Sequence, residues 1–378
     1  MNILTKIFFI LILLLAVTAG NPAQGTQDYI IGFNSSPGAS EEALIEALGG
    51  EIHYRYDLIP AYAITLPTQA YGGLLHNPHV AFIEHDAQIS IVGETTPVNM
   101  ITIKANQVWP TGNTGQGIKV AVLDTGIDYT HPDLSVNYKG GWDFVNNDAD
   151  PRDDNGHGTH VAGTIAAKKD GQYVIGVAPD AWLYAVKVAN SSGSGSYSRI
   201  IAGIDWAVKN KMSVINISMG GSSSSTGMKN SCDAALMAGV QVVASAGNSG
   251  NTYGTGDNIL YPAKFNSVIA VGSTNSLGTR SSFSCTGPAL DFAAPGSGIT
   301  SDRIGPWPEG VSYTVSKSGT SMAAPHVTGC YALMIKDGWT TPASIKIQLI
   351  ATATDKGSVG FDWLYGNGLV NIYRAVIE

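Results

Sequence analysis

The sequence predicts an α/β protein: a parallel, doubly wound sheet with helices on both faces, preceded by a small ferredoxin-like α+β domain. Two observations predict it. From about residue 100, short apolar runs with little polar alternation take turns with segments whose apolar residues recur every three or four positions. Strands buried on both faces read as such runs, and strict β/α alternation means a parallel sheet covered by helices through right-handed crossovers. Ahead of that point, residues 27–92 hold elements in the order β-α-β-β-α-β, that of a ferredoxin-like sandwich.

The chain opens with "MNILTKIFFILILLLAVTAGNPA", in which Lys6 precedes an apolar run at 7–17 and small residues follow at Ala19 and Gly20. The run is too short to span a bilayer and fits the core of an export signal, taken as residues 1–20. No later segment has the length and apolarity of a stable membrane anchor. "DYIIGF" predicts a strand. "SEEALIEALGG" predicts a helix, with Ser40 as its N-cap, acids in its first turn, and Gly49 and Gly50 stopping it. "EIHYRYDLIPAYAITL" predicts two strands about a turn at 57–60, "TQAYGGLLHNP" a second helix and "VAFIEHDAQISIV" a last strand. A unit of this size folds alone only marginally. "GETTPVN", at 93–99, is polar and carries a proline, as an exposed and cleavable linker does. The expected domains are therefore 1–20, 21–95 and 96–378.

In the third domain "IKVAVLDTG", "WLYAVKVA", "SVINISMGG", "VQVVASAGN" and "SVIAVGST" predict buried strands. "HGTHVAGTIAAK", "SRIIAGIDWAVKN" and "MKNSCDAALMAG" predict the helices between them. The net charge of −8 over 378 residues argues against a nucleic-acid partner, because nothing neutralises phosphates in bulk. Cys232, Cys285 and Cys330 fit no metal spacing, and an odd count leaves at least one outside any intramolecular disulfide. Each lies in or beside an apolar element, which predicts small buried hydrophobes.

In a parallel sheet, chemistry collects outside the carboxyl ends of the strands. Four residues stand at such ends or at helix entrances. Asp124 closes "VAVLD"; it is a turn cap or a buried carboxylate that needs a partner. His157 lies between Gly156 and Gly158 in "DDNGHGTHVAGT". With His160 it spells H-x-x-H behind Asp153 and Asp154, which leaves a metal site as an alternative, although the zinc-protease helix is H-E-x-x-H. Asn248 closes "VVASAGN" as a turn former or an oxyanion donor. Ser321 in "SKSGTSMAAPH" enters a helix as a cap or a nucleophile, and Pro325 is expected where early-helix N–H groups still lack intrahelical acceptors. Taken together, aspartate, histidine and serine follow one of the chain orders in which a Ser-His-Asp triad occurs, with an amide to hold the oxyanion.

"VAVLDTGID", "NGHGTHVAGT", "SAGNSG" and "SGTSMAAPHVTG" resemble the catalytic motifs of the subtilisin-like serine proteases, the subtilases. The resemblance runs from about residue 97 to the end through "IGVAP", "LYAVKV", "AGIDWAV", "VINISMGG", "YPAKF", "SVIAVG" and "FAAPG". It implies a sheet of the subtilisin type and a secreted endopeptidase that hydrolyses polypeptides through an acyl-enzyme, with no catalytic metal. Asp124 is then the orienting acid, His157 the base, Ser321 the nucleophile and Asn248 the oxyanion donor. Ser218, Met219 and Gly220 would pair with extended substrate, facing a wall that includes Ala246 and Gly247; main-chain pairing predicts broad specificity. Leu260 stands where the nearest subtilisins carry glycine at the floor of the first specificity pocket, after a segment one residue longer. The N-terminal unit resembles the family's propeptide, a folding chaperone and transient inhibitor released by self-cleavage at 94–97. The family also implies structural calcium, held by the side chains of Asp133 and Asp170 and the carbonyls of Lys168, Gln172 and Val174, with Glu94 at a fifth side-chain position. A monomer is expected.

Overall fold

The computed structural model describes residues 25–86, 96–308 and 311–378. The expected export signal, residues 1–20, and Glu94 lie outside the described residues. The chain divides into two compact units, Met1–Ile91 and Val92–Glu378.

The first unit holds strands β1 (Thr26–Phe33), β2 (Glu51–Arg55), β3 (Ala61–Pro67) and β4 (Val80–His85), with helices α1 (Ala39–Ala47) and α2 (Tyr71–Leu75). Its sheet is antiparallel in the order β2-β3-β1-β4, as the β-α-β-β-α-β sequence requires. Ile31, Ile45, Ile64, Leu66 and Leu74 form its own core. The cap of α1 differs from expectation. Gly38 is the N-cap, and Ser40 lies inside the first turn. The reason is Glu41, whose Oε2 accepts the Gly38 N–H at 2.9 Å and the Ser40 hydroxyl at 2.8 Å.

The second unit begins with helices α3 (Val98–Thr102) and α4 (Ala105–Val108). Seven parallel strands follow: β5 (Lys119–Asp124), β6 (Tyr138–Asp143), β7 (Trp182–Lys187), β8 (Val214–Ile217), β9 (Gln241–Ser245), β10 (Val268–Thr274) and β11 (Phe292–Pro295). Helices α5 (Pro132–Ser135), α6 (His157–Ala166), α7 (Tyr197–Lys209) and α8 (Thr226–Met237) connect them. After β11 come an antiparallel pair, β12 (Ile299–Asp302) and β13 (Thr314–Lys317), and then α9 (Thr320–Lys336), α10 (Pro342–Thr352) and α11 (Ile372–Ile377).

The sheet order is β11-β10-β9-β8-β5-β7-β6. Side chains along β5 alternate between two cores. Val120 and Val122 pack with residues of α6 and α9, and Ala121 and Leu123 with residues of α7 and α8. That double burial is why the strand sequences show no polar alternation. The chain leaves β5 in one direction to β6 and β7, and later returns to its other side with β8. The resulting switch point opens a crevice beyond the carboxyl end of β5, where Asp124 stands.

All three cysteines are free and buried. Burial pushes the Cys232 thiol up to about 12, so it is a neutral packing group. Among the described residues no helix is long and apolar enough to cross a membrane.

Candidate active site

The geometry starts at the end of β5. Asp124 is fully buried, and its Oδ1 accepts the Thr125 N–H at 2.8 Å and His157 Nδ1 at 2.7 Å. A carboxylate only accepts, so Nδ1 carries the proton and Nε2 keeps its lone pair. The His157 side chain is 26% exposed. Burial pulls its pKa down, but the charge of Asp124 and the hydrogen bond to it outweigh that, and the net shift is upward.

One residue holds this pair in register. Asp153 Oδ1 accepts the Thr125 hydroxyl at 2.8 Å, next to Asp124, and the Gly156 N–H at 2.9 Å, next to His157. Its Oδ2 accepts the N–H and the hydroxyl of Thr159 at 2.9 and 2.6 Å. Gly156 enters α6 at φ +94°, a left-handed conformation that suits glycine. A Cβ at Gly158 would collide with the Gly126 carbonyl and lie 3.1 Å from that of Asp124, so glycine permits the close approach.

The H-x-x-H pair does not converge on a metal. His160 is buried and its Nε2 donates to the Ile299 carbonyl at 2.9 Å, while burial lowers its pKa to about 3. Asp154 pairs with the buried Lys187 at 2.6 Å.

Ser321 lies in the first turn of α9, whose N-cap is Gly319. Its N–H belongs to the helix-start group that has no intrahelical acceptor. Asn248, just beyond β9, accepts the Thr320 N–H at 2.8 Å and the Thr320 hydroxyl at 2.9 Å through Oδ1. These bonds fix the amide and turn Nδ2 the other way. A Cβ placed on Gly319 would lie 3.3 Å from Asn248 Nδ2 and 3.7 Å from Ser321 N. The two donors therefore flank one small space, which a side chain at 319 would fill.

Pro325 is the sixth residue of α9, deeper than expected, and by removing its N–H it leaves the Ser321 carbonyl without its helical donor. The Ser218 hydroxyl takes that place at 2.8 Å. Ser218 Oγ is itself held by Asn216 Nδ2 at 2.9 Å, and Asn216 by the Thr328 hydroxyl at 2.8 Å.

Ser218, Met219 and Gly220 continue past the end of β8 as irregular backbone, and Gly221 then bridges to Tyr261. Met219 and Gly220 line a cleft of about 430 Å³ with Gly193, Gly195, Tyr197 and Ile200. Ala246 accepts the Leu260 N–H at 2.9 Å. Leu260 fills the space between the two walls: a Cβ on Gly220 would lie 3.1 Å from its Cβ, and one on Gly247 would lie 2.7 Å from its Cγ and 3.0 Å from Cys285 Sγ.

The loop at 168–174, expected to hold calcium, closes on Asp133 at both ends. Lys168 N–H donates to the Asp133 carbonyl at 3.0 Å and Val174 N–H to Oδ2 at 3.2 Å. Gln172 N–H donates to Asp170 Oδ1 at 3.2 Å. The expected ligands, two carboxylates and three carbonyls, are all oxygen donors, a chemistry that suits a hard cation. Beside it lies Asp302, clustered with His131 and Asp133 and fully buried. Burial, then the charge of Asp133, raises its pKa well above the usual carboxylate value.

Sequence reasoning missed Gly319, Asn216, Asp302 and the lining residues Gly193, Gly195, Tyr197 and Ile200. The signal for Gly319 was within reach, because a glycine two residues before a helix-entrance serine leaves room for an oxyanion. Asp302 sits in "ITSDR", which carries no pattern.

Comparison with known proteins agrees with this architecture. The subtilase family model matches residues 115–368. The chain is 42% identical over 378 residues to subtilisin J of Geobacillus stearothermophilus, covering 98% of this chain and 96% of that one. It is 40% identical over 367 residues to an alkaline protease of Alkalihalobacillus alcalophilus, covering 93% and 92%. It is 47% identical over 283 residues to subtilisin DY of Bacillus licheniformis, covering 75% of this chain and 99% of that one. With a matching family model, near-full-length relatives and a seven-stranded parallel sheet, the chain belongs to the subtilase family and is a subtilisin-like serine endopeptidase, a hydrolase of peptide bonds.

Proposed function

We propose that the protein is a secreted, self-processed endopeptidase of broad specificity, in which Asp124, His157, Ser321 and Asn248 perform the chemistry. The observation that carries this reading is the bond from His157 Nδ1 to the buried Asp124, which leaves Nε2 free as a base. Ser321 Oγ attacks the scissile carbonyl carbon and passes its proton to His157 Nε2. The oxyanion takes hydrogen bonds from Asn248 Nδ2 and the Ser321 N–H, in the space beside Gly319. His157 then gives the proton to the leaving amine, and water hydrolyses the acyl-enzyme by the same route. At rest the Ser321 hydroxyl donates to the Ser218 carbonyl at 2.9 Å, so attack begins with a rotation of its side chain.

Extended substrate runs between residues 218–220 and 246–248. Leu260 shortens the first pocket there and favours small side chains on the acyl side of the bond. The unit at residues 21–95 acts as chaperone and transient inhibitor. Its own core and sheet support this, as does subtilisin DY, matched over nearly its whole length by 283 residues. Calcium would be held by Asp133, Asp170 and the carbonyls of Lys168, Gln172 and Val174, where it would stiffen the loop without entering the reaction. The protein works as a monomer.

The test is Ser321→Ala. The variant is expected to accumulate as an uncleaved precursor without peptidase activity, seen by N-terminal sequencing and a peptide assay. Normal processing of that variant, with activity retained, would overturn the assignment.

A further inference from the structure

Tyr173 sits in the loop at 168–174 between Gln172 and Val174, whose carbonyls are expected to bind the cation. Its φ of +47° is left-handed, a conformation in which a bulky side chain is an outlier. Such a residue persists where its surroundings over-determine it, and here the surroundings are aromatic. The Tyr173 ring stacks on Tyr313 with centroids 4.6 Å apart, and Tyr313 stacks on Trp307 at 4.9 Å. His131 stands edge-on to all three rings, at 5.2 to 5.9 Å. Aromatic pairs prefer both arrangements.

His131 adds polar bonds to the same contact. Its Nδ1 accepts the Asp133 N–H at 3.2 Å, so the proton is on Nε2, which donates to the Tyr313 carbonyl at 2.9 Å. Fully buried, it is a fixed post between Asp133 and the backbone of Tyr313. Tyr313 directly precedes β13, and Ser321 follows four positions after that strand ends at Lys317. β13 also touches the helix that carries the base. His160, three positions after His157 on α6, has its Nε2 3.2 Å from the Val315 carbonyl. The loop at 168–174 is thus joined to the entrance of α9 and to α6 through ring stacks, two histidines and one short strand.

We propose that Tyr173 is a positioning residue, which couples a hard cation held by the loop at 168–174 to the ordering of β13 and so to the reactivity of Ser321. The inference rests on the calcium site and the nucleophile assigned above.

Without a bound cation, the ring stack and the loop's own hydrogen bonds hold residue 173 at its positive φ. A cation that fixes the carbonyls of residues 172 and 174 fixes the backbone of 173 between them. The stack and β13 are then ordered at a smaller loss of conformational freedom. The coupling is reciprocal, so whatever orders β13 tightens cation binding by the same factor.

The experiment uses the mature enzyme, calcium alone as the probe, and three readouts. These are melting temperature, amide hydrogen exchange in β12 and β13, and the rate at which a serine-directed phosphonate labels Ser321. In the wild type calcium is expected to raise the melting temperature, slow exchange in both strands and speed labelling by about fivefold or more, the lower end of known couplings. Tyr173→Gly suits the left-handed backbone and leaves the expected ligands in place. It should keep the melting response and lose the other two. Tyr313→Leu, which removes the middle ring but keeps the carbonyl that His131 holds, should behave in the same way. Tyr173→Phe should retain all three responses. Melting curves identify any variant that has lost its fold. If folded Tyr173→Gly and Tyr313→Leu respond to calcium as the wild type does, the proposal is wrong. It is equally wrong if calcium raises the wild-type melting temperature but leaves exchange and labelling unchanged. Failure of the underlying readings looks different: no melting response in the wild type removes the calcium site and this coupling with it, and no phosphonate adduct on Ser321 removes the nucleophile.

Discussion

Ser218 and Ser321 exchange hydrogen bonds: the hydroxyl of each donates to the carbonyl of the other, at 2.8 and 2.9 Å. The bond from Ser218 replaces the helical donor that Pro325 lacks. Ser218→Ala is therefore expected to leave the Ser321 carbonyl under-bonded and destabilise the fold by about 1–3 kcal/mol. Calorimetry checks it, and Ser218→Thr, which keeps a hydroxyl, should recover part of the loss.

His157 has a raised pKa because the charge and hydrogen bond of Asp124 outweigh burial. Only the neutral imidazole is a base, so kcat/KM should fall as pH drops through this raised value, above the ordinary histidine range near ~6.5. The stability linked to this pair has the opposite sign. It is fully present below the unfolded pKa and is lost as pH rises through the folded one. Asp124→Asn should move the acid limb down and lower kcat by about 10⁴, a magnitude taken from other serine proteases. A pH–rate series on both enzymes measures the shift.

Leu260 occupies the space between the walls at Gly220 and Gly247. Leu260→Gly is expected to raise the kcat/KM ratio of phenylalanine to alanine before the cleaved bond by roughly tenfold or more, the scale of one or two methylenes in a pocket. A peptide library with that position varied reads the change. An unchanged ratio would mean that large side chains enter elsewhere.

Calcium bound at Asp133 and the loop at 168–174 should stabilise the native state by about 2.7 kcal/mol at a hundred times its dissociation constant. Melting temperature should rise with calcium in the wild type and respond far less in Asp133→Asn. Equal wild-type melting temperatures with and without calcium would remove the site.

Much of the fold was legible in the sequence because the buried strands write themselves as apolar runs, and the residues proposed to react sit where those runs stop. Asp124 and Asn248 were found that way. β6 was missed because "YKGGWD" lacks an apolar run: it is an edge strand, and Gly141 lies against the Ala185 carbonyl, where no side chain fits. β12 and β13 are short and polar, so their pairing is set by tertiary context. Pro325 was recognised but its consequence was not, since the missing bond is repaired by Ser218 from 103 positions away. Asp302 left no trace, because its meaning lies entirely in its packing beside Asp133.

Asp153 gives the architecture a genealogical consequence. One carboxylate clasps the neighbour of Asp124 and the neighbour of His157, so neither can drift without the other. A chimaera joined to a relative between residues 125 and 153 would inherit its acid and its base from different parents, with the clasp fitted to only one of them. Crossovers placed before residue 124 or after residue 157 transmit all three as a single heritable block.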